Sequence, residues 1–574
     1  MAETLISPGV LARENDTSFV SQGPVTVGAA IIGPTVKGPV EIPTVVTSYS
    51  QYQQKFGTTL TSGSPAQTYT YLTSIAAYNY FQNGGTSLLV ARVVSGSYTP
   101  ASSSLIVSAS GATSAVFVLE TLSEGTIMNS SGSEDSNGAL INGTSNNVRW
   151  QIVNSNTSSG TFDLLIRQGD DNTLEQTVLE TWTNLSLDPF APTYVAKVIG
   201  DQKYNLRTDS GTGTKYLQLT GSFPNNSAYV RVRSVNLTTP NYFNNAGNPN
   251  PLFTGSLPIN ASGSFGAAVG SLGAGARFYD QISSTNTQGL VSGSYDNMVA
   301  LLANQDDYKY NVLLTPGLYD AGHTSTVTQI ISNTQNRGDA IYVLDPVAYG
   351  AGSVTTVTAQ AANRNTSYAA EYWPWCQVQD PDSGQNVWVP ASTVIGGVYA
   401  YNDSVSEPWF APAGINRGGL SQVIMAERRL PQGDRDTLYN GKVNPIATFP
   451  GTGVVVYGQK TLQTRASALD RVNVRRLLIA LKNYISQVAN NLVFEQNTAA
   501  TRNNFLAQVN PYLESVQQRQ GLYAFKVIMD DSNNTPTVID QNQMVGQIYI
   551  QPTKTAEFIY LDFNITPTGA TFPA

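Results

Sequence analysis

Two stretches of alternating strand and helix patterns, separated by a long polar stretch, most constrain the fold of this chain. Short apolar runs at 25–34 and 87–94 are typical of buried strands, and a helical pattern lies between them at 66–82. From about residue 263 the alternation resumes, with helix and strand patterns taking turns at 298–303, 310–317, 326–338 and 340–347. Strand–helix–strand order predicts an α/β fold built on a parallel sheet.

The intervening stretch, residues 101–262, has a different composition. Of residues 101–160, 33 are Ser, Thr, Asn or Gly and five are charged. Short apolar runs alternate there with polar turns, and no helical period is sustained. This pattern predicts one or two inserted all-β domains. Residues 1–22 are polar and short of core-forming side chains, which predicts an extended N-terminal arm.

The C-terminal part contains the clearest helix and a one-sided strand. Apolar residues recur every three or four positions from Val474 to Leu492, and a second helical pattern covers 501–520, where Pro511 should kink or break the helix. Residues 556–566 carry apolar side chains at alternate positions, which predicts a strand with one apolar face beside the terminus. The residues of that face are Ile559, Leu561, Phe563 and Ile565.

Composition argues against most enzymatic and ligand-binding classes. The 574 residues include one histidine and one cysteine, so a His- or Cys-rich metal site and an intrachain disulfide are excluded. The net charge of −8 argues against broad nucleic-acid binding. The N-terminus does not resemble a secretory signal, and no apolar run reaches the length of a membrane span.

Motifs that carry chemistry are absent or weak in this sequence. No P-loop and no Gly-x-Ser-x-Gly motif occurs. His323 is the one histidine available as a general base, and its context favours an ordinary surface or loop histidine. Cys376 follows Trp375 in an apolar run and is expected to be a buried, inert thiol. The aspartate pairs at 380/382 and 530/531 have turn-forming contexts. We therefore expect no catalytic, cofactor-binding or metal-binding residues.

One cluster of positive charge stands out from this charge-poor background. Arg465 and four further basic residues occur within eighteen positions, opposed by Asp470 alone. Two of them lie four apart and should share a helix face away from the leucines. A solvated helix face and a docking patch for an acidic protein both fit this pattern, whereas DNA fits it less well. The four are Arg471, Arg475, Arg476 and Lys482.

Several segments, taken in order, resemble the tail sheath proteins of contractile-tailed bacteriophages. They are SPGVLARE with GAAIIGPTVKGPVEIPTVVTSYSQYQQKFG, EYWPWCQVQDPDSGQNVWVPASTVIGGVYAYND, NVRRLLIALKNYISQVANNLVFEQNTAATRNNF, VIMDDSNNTPTVID and PTKTAEFIYLDFNIT. The resemblance covers roughly 1–100 and 263–574. Residues 101–262 resemble no family, and in sheath proteins this region typically holds variable outer domains.

The resemblance implies a structural subunit with no enzymatic activity and no cofactor. Such subunits form six-membered rings stacked around an inner tail tube, and contraction drives the tube through the host envelope for genome ejection. Terminal arms join neighbouring subunits by adding strands to each other's sheets. The implied partners are further copies of the chain, the inner tube protein, and baseplate and tail terminator proteins, without nucleic acid or membrane insertion. The implied location is the virion, after assembly in the bacterial cytoplasm.

The resemblance also implies a division of the chain and a role for the basic cluster. The α/β part should be subtilisin-like in fold without the protease activity. The implied parts are the arm 1–22, the core 23–100, the insertion 101–262, the subtilisin-like domain 263–460, the C-terminal domain 461–553 and the arm 554–574. The four basic residues from Arg471 to Lys482 would face the inner tube, which is often acidic in such systems.

Three alternatives stay open at the level of sequence. A headless contractile injection device would use the same subunit. A hydrolase on the α/β part would depend on His323. The Ser- and Thr-rich insertion could bind sugars as an adhesin, although simple surface decoration is the plainer interpretation.

Overall fold

The structure is a computed structural model, and it describes residues 28–62, 67–272 and 277–560. These residues form a mixed α/β fold with several sheets, as predicted. The expected N-terminal arm 1–22 lies outside the described residues. None of the helices in the three described stretches combines the length and the apolar character needed to cross a bilayer.

The first part of the chain supplies three strands of the main sheet and two helices. Its elements are β1 (Ala29–Gly33), β2 (Thr44–Val46), α1 (Tyr49–Phe56), β3 (Thr59–Ser62), β4 (Gln67–Thr70), α2 (Leu72–Gln82) and β5 (Leu88–Arg92). The helix predicted over 66–82 is thus a strand followed by a shorter helix. The reason is aromatic packing, because the Tyr71 ring stacks on Phe278 and the Tyr69 ring meets it edge-on, with centroid distances of 4.3 and 5.4 Å.

Residues 100–266 form antiparallel sheets, with one short helix among the described elements of this stretch. The elements are β6 (Pro100–Ser103), β7 (Phe117–Glu124), β8 (Val148–Asn156), β9 (Thr161–Gln168), β10 (Val178–Ser186), α3 (Val195–Ile199), β11 (Lys203–Thr208), β12 (Lys215–Thr220), β13 (Val230–Val235), β14 (Ala261–Gly263) and β15 (Phe265–Gly266). Two four-stranded sheets have the orders β10-β9-β8-β14 and β13-β7-β6-β15. They enclose a core of their own around Trp150, Phe117 and Phe162.

The α/β pattern continues from residue 296 to 456. The elements are α4 (Asp296–Leu301), β16 (Val312–Tyr319), α5 (Thr324–Arg337), β17 (Ile341–Asp345), α6 (Val354–Ala362), β18 (Ala369–Trp373), β19 (Cys376–Gln379), β20 (Asn386–Val389), α7 (Ser392–Val405), β21 (Val423–Ala426), α8 (Gln432–Asn440), β22 (Val443–Phe449) and β23 (Gly453–Val456). Helix α5 ends at Gly338, whose left-handed backbone (φ 71°) suits a residue without a side chain.

The main sheet has eight strands among the described residues, in the order β2-β5-β1-β16-β17-β18-β22-β23. The six inner strands are parallel, and β2 and β23 run antiparallel at the two edges. Helices α2 and α7 pack on one face, and α4, α5, α6 and α8 pack on the other. Because both faces are covered, the inner strands read in sequence as continuous apolar runs.

The C-terminal part packs two long helices against a small sheet. Its elements are α9 (Val472–Asn490), α10 (Ala499–Gln518), β24 (Leu522–Ile528), α11 (Pro536–Asp540) and β25 (Gln547–Pro552). Of the two outcomes predicted for Pro511, a break is wrong, because α10 continues through this residue, and a kink stays a prediction. The buried side chains of Val509, Leu513 and Val516 bracket the proline and hold both halves of the helix in one apolar cluster.

Candidate functional site

Strands β24 and β25 form a sheet of two strands among the described residues. One face packs Phe525 and Ile550 onto the apolar cluster of α9 and α10. On the rest of the hairpin, Tyr523 and Tyr549 are 63% and 56% exposed. No third strand of the described residues pairs with either edge. Backbone N–H and C=O groups along these edges can therefore accept a further strand.

The chain then runs from β25 back to the α/β part, where side chains hold it. The carboxylate of Glu557 accepts hydrogen bonds from Arg471 Nε (2.8 Å), the Tyr439 hydroxyl (2.7 Å) and Gln459 Nε2 (3.1 Å). Gln459 Nε2 also donates to Thr555 Oγ1 at 2.7 Å. We call these five residues the arm clamp. It fixes residues 555–557 to α8, to the loop after β23 and to the start of α9.

The electrostatics of the arm clamp favour an ionised carboxylate. Burial alone would raise the pKa of Glu557, but the hydrogen bonds from Arg471, Tyr439 and Gln459 outweigh it and hold this pKa below its ordinary value. Burial, and then the hydrogen bond to Glu557, raise the pKa of Tyr439. Lys460 adds positive charge, since its Nζ lies 4.1 Å from the centroid of the Tyr439 ring.

Beyond the arm clamp, the last described residues project large apolar side chains into solvent. Phe558, Ile559 and Tyr560 are 68%, 77% and 93% exposed. Residues 556–560 form no strand with any other described segment. Of the predicted apolar strand face, Ile559 is therefore exposed, whereas Leu561, Phe563 and Ile565 lie outside the described residues. Three consecutive exposed residues of this size are unfavourable in water unless another surface covers them.

A groove with a volume of about 1100 Å³ adjoins the arm clamp, between the α/β part and the C-terminal hairpin. Its lining is rich in aromatic side chains, with Trp409, Phe410 and Tyr457 on the α/β side and Tyr523 on the hairpin. Arg417 lies over the Phe410 ring at 5.0 Å from its centroid. An aromatic groove of this kind suits an extended segment with large apolar side chains.

The basic residues of α9 do not form the one exposed face that their spacing predicts. Arg475 is 3% exposed, lies 4.0 Å from the centroid of the Tyr368 ring and donates to Ser367 Oγ. Arg476 is also 3% exposed and pairs with Asp403 of α7 at 2.6 Å. The expectation of a common surface is wrong for these two arginines, because both are buried where α9 packs against the α/β part.

The other two members of the cluster lie apart from each other. Arg471 belongs to the arm clamp and also pairs with Asp470 at 3.0 Å. Lys482 is exposed, with its Nζ 3.4 Å from the Tyr368 hydroxyl. Only Lys482 among the four predicted residues therefore combines exposure with freedom from an ion pair within the described residues. Its tube-facing role stays a prediction.

His323 is placed as a structural residue at the start of α5. Its Nδ1 accepts a hydrogen bond from the Tyr319 backbone N–H (3.1 Å), so Nε2 carries the proton and donates to the Ser283 carbonyl (2.8 Å). Of the expected surface or loop positions, the surface one is wrong, since the residue is 1% exposed, whereas His323 does lie in the loop before α5. Burial lowers the pKa of His323, and both ring nitrogens are engaged with backbone groups.

Two buried carboxyl groups lie on the central strands β17 and β18. Asp345 accepts hydrogen bonds from the Ser392 backbone N–H (2.9 Å) and hydroxyl (2.5 Å), and burial raises its pKa to about 7. Neither carboxyl oxygen of Glu371 has a hydrogen-bond partner among the described residues. Burial, followed by the nearby Asp320 and Asp345, raises the pKa of Glu371 well above its ordinary value. The fold therefore favours the neutral form of Glu371 over the ionised form.

The remaining sequence candidates have structural surroundings. Cys376 is fully buried as predicted, and burial raises the pKa of its thiol. Asp380 accepts from the Thr70 hydroxyl at 2.5 Å and from the backbone N–H of Asp382, which fits the predicted turn. Among the described residues, no group of three or more His, Cys, Asp or Glu side chains is placed to hold a metal ion.

Sequence reasoning missed the arm clamp. Tyr439, Gln459 and Glu557 are far apart in the chain, so no local pattern connects them. The available signal was Glu557 itself, which is the one acidic residue between Gly546 and Asp562 and stands directly before the apolar run Phe558–Tyr560.

Comparison with known proteins identifies two domains at the C-terminal side of the chain. The family described as phage tail sheath protein central domain matches residues 293–462, and the phage tail sheath C-terminal domain matches residues 464–566. A tail sheath protein of Vibrio phage KVP40 is 42% identical over 210 residues, covering 37% of this chain and 31% of that protein. The tail sheath protein of Enterobacteria phage T4 is 40% identical over 210 residues, covering 37% and 32%.

These matches span about a third of the length of the two curated relatives. A solved sheath tail protein from Listeria innocua superposes over 92% of this chain and 95% of its own, with a TM-score of 0.51 and 10% identity. At that identity the likeness concerns the fold alone. It extends the similarity to the N-terminal side of the matched domains.

Proposed function

We propose that this chain, which belongs to the phage tail sheath family, is a structural subunit of a contractile tail sheath. In this proposal the subunits form six-membered rings that stack around an inner tail tube, and contraction drives the tube through the host envelope for genome ejection. The observation that carries the proposal is the incomplete C-terminal end, where an open two-stranded sheet lies beside a projecting apolar arm.

The proposed linkage between subunits is strand exchange through the terminal arms. Residues 1–22 and the arm 554–574, the latter beyond its attachment at 555–557, leave the subunit, and a strand bearing Ile559, Leu561, Phe563 and Ile565 adds to the sheet of a neighbour. The open edges of β24 and β25 supply backbone groups for this pairing. Continuous arms would keep neighbours joined while the globular parts change their packing.

Contraction on this proposal needs two packings of the same subunits that differ in free energy and are separated by a barrier. It needs no nucleotide and no covalent chemistry. The proposed function is accordingly structural and not enzymatic. Its location is the virion, and its partners are other copies, the inner tube protein, the baseplate and the tail terminator.

We propose the division of the chain that the resemblance implies, and the sheet topology supports it. Residues 23–100 and 263–460 together build the main sheet, and the second of these would form the subtilisin-like domain. Residues 101–262 would form the inserted all-β domains on the outer surface, and residues 461–553 the C-terminal domain. The separate core around Trp150 supports the insertion as a unit of its own.

Electron microscopy of the purified chain tests the proposal directly. We expect tubes or stacked six-membered rings at high protein concentration. A strictly monomeric species at every concentration, with or without an inner tube as template, would contradict the proposal. Tubes that form without a tube template would still support it, since the open sheet edge belongs to the subunit itself.

A further inference from the structure

The chain between β25 and the arm has two separate attachments, and they differ in strength. At the hairpin, Thr553 donates through its backbone N–H to the Gly521 carbonyl (3.2 Å) and through its hydroxyl to the Gln520 carbonyl (2.7 Å). At the α/β part, residues 555–557 receive the hydrogen bonds of the arm clamp, three of them on one carboxylate. The last fixed point before the exposed residues is thus on the α/β part.

The arm clamp is an ion pair only partly reached by solvent. The side chains of Arg471 and Glu557 are 24% and 18% exposed. A charge-assisted hydrogen bond in such a position is stronger than one between neutral groups. Three of its four hydrogen bonds end on a single carboxylate, so loss of that one charge removes the ion pair and weakens most of the attachment. This combination differs from a buried apolar contact, which would hold the arm permanently.

We infer that the arm clamp is a latch that fixes the direction in which the C-terminal arm leaves the α/β part. The inference rests on the proposed function, because direction matters only if the arm joins a neighbour. With the latch closed, Phe558–Tyr560 extend from the fixed residues 555–557, and the arm moves together with the α/β part. With the latch open, the last attachment of the arm would be at Thr553 on the hairpin. The arm would then lose more conformational entropy on joining a neighbour.

A charge-removing substitution in the full-length protein tests the latch. In Glu557→Gln, we expect hydrogen exchange of residues 553–560 to become about tenfold faster in the unassembled subunit. We also expect the critical concentration for tube formation to rise about tenfold or more, while thermal stability of the subunit stays within a few degrees. Exchange in the unassembled subunit measures the latch without requiring assembly.

The matched control is Glu407→Gln. Glu407 pairs with Arg519 at 2.6 Å and is 28% exposed, and it does not contact the arm. The latch inference predicts that this variant leaves both exchange at 553–560 and the critical concentration unchanged. The charge-swapped pair Arg471→Glu with Glu557→Arg should recover part of the loss, because the attraction survives the exchange of signs.

The possible results separate the latch from the proposed function. Unchanged exchange at 553–560 in Glu557→Gln, or an equal change in Glu407→Gln, would overturn the latch. Faster exchange with an unaltered critical concentration would overturn its role in assembly. If the wild-type chain forms no tubes under any condition, the proposed function fails, while the exchange result still decides whether the arm clamp holds the arm.

Discussion

The carboxyl end of the main sheet and the C-terminal end of the chain differ in whether their polar and apolar groups are buried or exposed. In open α/β sheets, ligands bind at the carboxyl end, where the strand order reverses. Here that position, between β1 and β16, is bridged by Gln288, which accepts from the Leu72 backbone N–H (2.9 Å) and donates to the Pro316 carbonyl (3.0 Å). The neighbouring Asp345 and Glu371 are buried.

The C-terminal end instead leaves apolar side chains and strand edges exposed. The first end is completed within one chain, even where this costs the burial of carboxyl groups. Under the proposed function, the second end is completed when another chain covers it. The position that forms a ligand crevice in other α/β folds therefore belongs to the core of this chain. The surface able to interact lies at the C-terminal end.

The largest effect is expected from removing the arm. Deletion of 554–574 should abolish tube formation and leave a folded monomer, because the deleted residues contribute little to the described core. Sedimentation and electron microscopy measure assembly, and thermal melting checks the fold. Normal polymerisation of the truncated chain would contradict this difference between the two ends, because the C-terminal end would then not be the incomplete one.

A substitution at Glu371 tests the carboxyl end of the main sheet, where polar groups are buried. Glu371 has a raised pKa in the fold, so its proton is bound more tightly in the folded state than in the unfolded state. The stability of the wild type should therefore fall as pH rises above the unfolded value of about 4.5, by up to ~1.4 kcal/mol per pH unit for this group. Glu371→Gln should remove this slope and raise the free energy of unfolding at pH 8 by at least ~1–2 kcal/mol.

Denaturant titrations at pH 5 and pH 8 measure the effect of Glu371→Gln. The control is Glu514→Gln, at an exposed position of α10, which should leave the pH dependence unaltered. Tube formation by Glu371→Gln should be normal at pH 7. A loss of assembly without a loss of fold would mean that the carboxyl end of the main sheet also takes part in subunit contacts.

The smallest effect is expected at Lys482. If this residue faces an acidic tube, Lys482→Glu should weaken co-assembly with the tube by up to about fivefold at low salt and less at high salt, because an exposed charge pair contributes ~0.2–1 kcal/mol. Lys197→Glu, at an exposed position of α3, is the control with the same charge change. Equal behaviour of the two variants would leave Lys482 as a solvated side chain.

Local patterns predicted most of the elements that build the main sheet and the C-terminal helices. The apolar runs at 87–94, 310–317 and 340–347 are β5, β16 and β17, and the helix signal from Val474 is α9. The prediction of secondary structure failed where a contact with a distant residue overrides the local pattern. Tyr71 stacks on Phe278 and Tyr69 contacts it edge-on, about two hundred residues away in the chain, and this packing converts the start of a predicted helix into a strand.

The candidate site was predicted only in part, for the same reason. The apolar run at the terminus pointed to an arm, and Ile559 is indeed exposed at its described start. The spacing of Arg475 and Arg476 indicated an exposed face, but α9 packs that face against Tyr368 and Asp403. Helical spacing states which side chains share a face, and it does not state which partner covers that face.

By itself, the sequence determined the α/β class, the polar composition of residues 101–262, the lack of recognisable catalytic motifs and the similarity of residues 293–462 and 464–566 to phage tail sheath domains. These depend on local periodicity and composition, which a single strand or helix expresses on its own. Only the tertiary structure decided which charges are buried, how His323 is engaged and that Glu557 is held by residues up to 118 positions away. Such contacts arise from packing of distant segments, and no local pattern encodes them.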